Sequence, residues 1–214
     1  MGLLFKLYYN PTIIGNKNIP KNGPIILCGN HLNELDSKLI KSVVKRPVYS
    51  FNNNYEDMID YLNNDYAVLV FPESTINIYR LVQLKIMSLE HKIVEINNNN
   101  NLRNNDRLTY ICNLKMEIEK ELEKLESTKK KLLDSGIKVI DYDILLPFDK
   151  KIVKIARETN SKIVPFAING KFIYGNNDLK IRFGNSLTVT DDLEESNNIV
   201  RENVKKLEYK NLKK

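Results

Sequence analysis

Histidine and cysteine are both scarce: the 214 residues hold two of each, with Cys28 and Cys112 far apart in the chain. There is no CxxC pair and no His/Cys cluster, which excludes a metal site of recognisable spacing and fits a reducing, cytoplasmic compartment. No apolar run approaches the roughly 18 residues of a spanning helix, so no segment is expected to cross a bilayer. The opening MGLLFKLYY lacks the apolar length and small-residue cleavage site of a signal peptide, and Lys6 stands where a myristoylation motif carries Ser or Thr. That opening reads either as core packing or as an apolar end that seeks a surface. Basic residues form no stripe interleaved with aromatics, so nucleic acid is not an expected partner. No internal repeat is present.

What is present is a globular composition, 42% hydrophobic and 28% charged, long enough for one domain with a sizeable core but short for two. A single domain spanning 1–214 with an insertion at 76–142 is the expectation. The formal charge of +6 and pI near 9.1 favour anionic partners, and because the excess is spread along the chain it does not choose among them.

After a turn at Pro20, Gly23 and Pro24, the run Ile25-Ile26-Leu27-Cys28 predicts a buried strand, and Ala67 to Phe71 predicts a second. Helical spacing follows at Ser37 to Val44 and Asp57 to Asn63, with extended character between them at 46–51. From Ile78 to Ile96 and from Arg103 to Leu133 the pattern is helical, with an Asn run at 97–101 as the turn. In the second arm Leu108, Ile111, Ile118, Leu122, Leu125 and Leu132 follow a 3,4 stripe broken by Lys115 and Lys129, which predicts an antiparallel helical hairpin. Helix at 150–159, strands at 162–168, 179–183 and 187–190, and a last helix capped by Asp191-Asp192 complete the chain. Strand and helix alternation on both sides of the insertion predicts an α/β fold: one mixed β-sheet flanked by helices and interrupted by the hairpin.

His31 falls just beyond the first predicted strand, and Asp36 lies in the first turn of the next helix. A neutral imidazole takes a proton from a hydroxyl near pH 7, and a carboxylate on its other nitrogen holds it in the useful tautomer. The pair therefore reads as a base and its orienter, or as a turn capped by Asp36 or Ser37. Glu73 follows the second strand, as a site carboxylate or a solvated loop residue. In open α/β sheets the ligand crevice lies beyond the C-terminal strand ends, where both segments belong.

Asn30-His31 with Asp36 resembles the NHxxxxD motif of the 1-acylglycerol-3-phosphate acyltransferase family, the PlsC-like glycerolipid acyltransferases. Phe71-Pro72-Glu73-Ser74-Thr75 resembles its FPEGT block, and Ile163-Val164-Pro165-Phe166-Ala167-Ile168 its VPxxI block. The resemblance covers 10–75 and 143–190 and implies transfer of a fatty acyl group from acyl-CoA or acyl-carrier protein to a hydroxyl of glycerol phosphate, lysophosphatidic acid or a related lysolipid. It implies His31 as base, Asp36 as its orienter, and Glu73, Ser74, Thr75, Arg80 and Lys150 as substrate-binding residues, with no metal and no bound cofactor. It further implies a peripheral enzyme of phospholipid synthesis at the anionic inner face of the cell membrane.

Three features depart from the family pattern. Ser74 and Ile76 stand where the family has Gly and Arg, and the Gly- and Arg-bearing segment between the first two blocks is missing. Arg46, Arg80, Lys150 and Lys151 are the cations left to meet a phosphate. The hairpin replaces a short loop, and its stripe suits internal packing, membrane contact or self-association. A catalytically impaired scaffold that binds lipid or a protein partner is the alternative reading.

Overall fold

A computed structural model of the chain describes residues 2–51, 55–73, 78–98, 103–136, 145–174 and 178–212. Contacts divide it into two units, Met1–Ile76 with Pro147–Lys214, and Asn77–Leu146.

The first unit is built on the buried aliphatic runs. Strands β1 (Thr12–Ile14), β2 (Ile25–Gly29), β3 (Val48–Ser50), β4 (Ala67–Val70), β5 (Lys162–Asn169) and β6 (Lys180–Phe183) form a sheet in the order β1-β6-β5-β2-β4-β3. β2 pairs in parallel with both β4 and β5, and β3 in parallel with β4; β6 runs antiparallel to β5. The sheet is mixed, and its four parallel strands all end at one edge. Both faces must be covered, which is why β2 and β4 are buried at every position instead of alternating.

Helix α2 (Asp36–Val43) places Leu39, Ile40 and Val43 against Ile25, Leu27, Leu69 and Phe166 on one face. Each such side chain contributes about 1.5–3 kcal/mol by leaving water. Helix α1 (Gly2–Tyr9) adds Phe5 and Tyr9 to the same cluster. α3 (Tyr55–Asn63) buries Met58 and Leu62, and α6 (Lys151–Glu158) buries Ile152, Val153, Ile155 and Ala156. α7 (Leu193–Leu212) runs along β5 with Val200, Val204 and Leu207 buried. Its entry is capped as expected, the Glu195 amide donating to Asp192 Oδ1 at 2.9 Å, and near its end Asn211 Nδ2 donates to the Ala167 carbonyl at 3.1 Å.

The second unit is the hairpin of α4 (Ile78–Asn98) and α5 (Asn104–Asp134), the predicted pair of helices. Most of the predicted turn between them lies outside the described residues.

The structure departs from the sequence reading at four points. α1 and β1 were not foreseen: β1 is three residues long and owes its place to pairing with β6, a contact of high sequence separation. The strand expected at 187–190 is one bridge, Leu187 to Ile163. Leu108 and Leu122 are exposed; the α5 face turned to α4 is set by Ile111, Leu114, Ile118, Leu125 and Leu132, all half-buried. Asp36 is not a cap, since α2 is preceded by Leu35 with no side-chain cap, and its carboxylate turns elsewhere.

Candidate active site

The parallel strands deliver His31 and Glu73 to the same edge, each just past a strand. Asn30 fixes the exit of β2: it is buried, its Nδ2 donates to the Ile168 carbonyl at 2.9 Å, and its Oδ1 accepts from the Ile168 amide at 2.8 Å. That two-point clamp ties the residue before His31 to β5, which makes the backbone carrying the imidazole rigid.

Asp36 folds back over the loop it closes. Its Oδ2 accepts from the Leu32 amide at 2.8 Å and the Asn33 amide at 2.9 Å, and lies 3.1 Å from His31 Nδ1. Both backbone amides donate to the same carboxylate oxygen, and full burial of Asp36 excludes water from the pair. A carboxylate accepting at Nδ1 places the ring proton there, so Nε2 carries the lone pair. The His31 side chain retains 20% of its surface.

Phe71 lies flat on the imidazole, ring centroids 4.1 Å apart at 15°, and meets Phe166 edge-on at 6.1 Å. Phe166 in turn crosses β2 where Gly29 has no side chain: a Cβ there would stand 2.4 Å from the Phe166 ring and 2.5 Å from its carbonyl oxygen. Gly29, Phe166 and Phe71 thus form a stack that seats His31.

Glu73 is buried behind the strand end. Burial, and then the Glu73 carboxylate, push the Cys28 thiol up from its ordinary value, so Cys28 is a packed thiol and no nucleophile. The Asp149 amide donates to the Pro72 carbonyl at 3.0 Å, joining the segment before α6 to the Glu73 turn. Tyr55 donates its hydroxyl to Asp149 Oδ2 at 2.5 Å; burial and this bond raise the phenol. Lys151 Nζ sits 5.0 Å from the Tyr55 ring centroid. Lys150, by contrast, pairs with Glu194 on α7, both side chains exposed.

Of the residues singled out in the sequence, His31 and Asp36 are in contact, and Glu73 is at the same sheet edge. Ser74 and Thr75 lie outside the described residues. Arg80 belongs to the second unit, where it is buried in the first turn of α4 with Nη1 3.9 Å from Met87 Sδ. Arg46 precedes β3 at the opposite edge, bonded to the carbonyls of Pro20 at 3.2 Å and Asp65 at 2.5 Å, so it is not a site cation. Asn30, Phe71 and Asp149 were legible only as letters of the family pattern, and Tyr55 was missed; a strand-end aromatic carries no signal of what it will stack on. Among the described residues no group of three or more His, Cys, Asp or Glu side chains could hold a metal.

A mixed sheet flanked by helices, with the His-Asp pair beyond the C-terminal end of a central strand, has the glycerolipid acyltransferase-like fold. The particular likeness is to the crystal structure of the 1-acyl-sn-glycerophosphate (LPA) acyltransferase PlsC from Thermotoga maritima, at a TM-score of 0.50 and 17% identity, over 92% of this chain and 69% of that one. No protein-family model matches the chain, and no curated protein does. At this identity the likeness describes the fold.

Proposed function

We propose that the protein is a glycerolipid acyltransferase that moves a fatty acyl group from acyl-CoA or acyl-carrier protein to a hydroxyl of lysophosphatidic acid or a related glycerol phosphate or lysolipid. The observation that carries the reading is the buried Asp36 holding His31 Nδ1 with Nε2 left as base. His31 takes the proton from the acceptor hydroxyl as its oxygen attacks the thioester carbonyl. The tetrahedral intermediate collapses, the C–S bond breaks, and the imidazolium returns its proton to the departing thiolate. Asp36 keeps the ring oriented and stabilises the imidazolium. Such a base accounts for about 10² to 10⁴ in rate, and the cycle calls for no metal or resident cofactor.

For the acceptor phosphate we assign Lys150, whose exposed pair with Glu194 is cheap to exchange for a substrate anion, with Ser74 and Thr75 as further contacts implied by the motif. Peripheral association with the anionic inner face of the cell membrane is supported by an apolar patch: Leu4, Leu7 and Tyr8 of α1 and Ile173 and Tyr174 beyond β5 are exposed, and the Tyr8 and Tyr174 rings meet at 4.8 Å. No helix among the described residues is long and apolar enough to cross a membrane.

The test is to incubate purified protein with labelled palmitoyl-CoA or palmitoyl-carrier protein and lysophosphatidic acid, beside a folded His31→Ala variant. Labelled phosphatidic acid that depends on His31 is the expected result. Equal product from both proteins would sink the assignment. No product from either, with lysolipid still bound, would favour the scaffold that binds without turnover.

A further inference from the structure

The hairpin leaves much of its apolar surface open. α5 is 31 residues long and, of these, buries one, Glu121. Eight of the sixteen large hydrophobic side chains exposed among the described residues lie on α4 and α5, which hold 21 and 31 residues. A long helix draws its stability from tertiary packing more than from propensity, and this pair packs few of its residues within the chain.

The exposed residues are not scattered. At about 100° per residue, Leu108, Leu122 and Leu133 fall in one row on α5, about a quarter-turn from the face that meets α4. Met87 and Val94 lie further round α4, about 120–140° from its inward row of Val82, Ile86 and Leu89. Because the two helices are antiparallel, both steps turn to the same side of the hairpin, with the α5 row the more directly presented. The α5 step is about that between the two neighbour-facing sides of a helix in a four-helix bundle.

Three exposed charges, Lys115, Glu119 and Glu126, stand in the α5 row, and two of opposite sign, Lys115 and Glu126, are placed to pair. Lys115 and Glu126, both exposed, are equally far from the midpoint between Lys120 and Glu121, and so are Leu108 and Leu133. A second copy laid antiparallel about a two-fold axis at that midpoint sets Lys115 against Glu126 of the second copy and Leu108 against Leu133 of the second copy, each contact made twice. A parallel copy in register would oppose Lys115 to itself. A lipid surface would have to take Glu126 into the middle of its contact strip, which its chemistry disfavours.

We infer that this face of the hairpin is a homodimer interface, in which α5 pairs antiparallel with α5 of a second copy to complete a four-helix bundle. The inference does not depend on acyl transfer, and its test reads assembly alone. Light scattering on the full chain should give a dimer. Lys115→Glu or Glu126→Lys alone should raise the dimer Kd about tenfold, since two pairs become repulsive at once, and the double exchange should restore it. Leu108→Cys with Leu133→Cys, in a Cys112→Ser background, should give a disulfide-linked dimer without reductant. Within one chain those positions are about 37 Å apart along the helix, so no internal bond competes. Circular dichroism confirms that each variant is folded. A wild type that stays monomeric to about 100 µM overturns the inference, and if it also floats with anionic vesicles in a Leu122-dependent way the face is a lipid contact. A dimer untouched by either charge change and not trapped by the cysteine pair overturns it equally.

Discussion

Phe71 covers one face of the His31 imidazole, the two rings nearly parallel with centroids 4.1 Å apart. The contact joins the ends of two adjacent strands, and it limits ring rotation about the bond that Asp36 does not control. Phe71→Leu keeps apolar contact with Phe166 but loses the flat stack. Turnover is expected to fall by about tenfold with acceptor KM little changed, a loss of orientation at the base. Steady-state kinetics separate this from a loss of folded protein.

Asp36→Asn tests the other restraint. The amide oxygen can still accept from the Leu32 and Asn33 amides, but the buried negative charge that favours the imidazolium is gone. A loss of turnover of about 10² or more is expected with a stability change of about 1–3 kcal/mol. Unchanged turnover in a folded variant would show that the carboxylate closes the loop and does nothing for the base.

Gly29→Ala places a methyl group 2.4 Å from the Phe166 ring and 2.5 Å from its carbonyl. Neither the backbone oxygen nor the fully buried ring can give way freely, so a destabilisation of about 1–3 kcal/mol is expected by denaturant titration. Activity should fall with it, because the same ring supports Phe71.

Glu194→Gln frees Lys150 from its ion pair, and Lys150→Ala removes the cation. If Lys150 meets the acceptor phosphate, the first change lowers acceptor KM and the second raises it, with kcat nearly constant in both. Parallel shifts in the two variants would reduce the pair to surface charge.

In the hairpin, Lys85 Nζ lies 2.5 Å from Glu121 Oε1 and 3.3 Å from Glu117 Oε1. The bond from Lys85 holds the Glu121 carboxyl below its ordinary value, against the opposing effect of burial. A group depressed in the folded state stabilises above its unfolded pKa, about 4.5 here, and that contribution is lost as pH falls through the folded value. Thermal melts between about pH 5 and pH 3 should therefore fall more steeply for wild type than for Glu121→Gln. Identical slopes would remove the pair from the account of hairpin stability.

Much of the fold was legible as pattern. Ile25 to Cys28 and Ala67 to Phe71 read as buried strands, and the spacing from Ile78 onward as two long helices, because burial and helical period leave marks within a few residues. β1 left none, since three residues carry no period and their partner lies in β6. In the stripe of α5 the helix was visible and its inward face was not: Leu108 and Leu122 fit the spacing, yet the face turned to α4 passes through Ile111, Leu114 and Ile118.

The chain by itself placed a histidine and an aspartate within reach of one another beyond a buried strand, because only four residues separate them. It also determined the alternation of strands and helices, through the apolar period of each segment. Only the tertiary structure decided that Asp36 orients the imidazole and does not cap a helix, that Phe71 lies on the ring, and that Arg46 stands at the wrong edge of the sheet. Those outcomes rest on contacts between strands and helices distant in sequence, whose geometry is set by how the sheet packs as a whole.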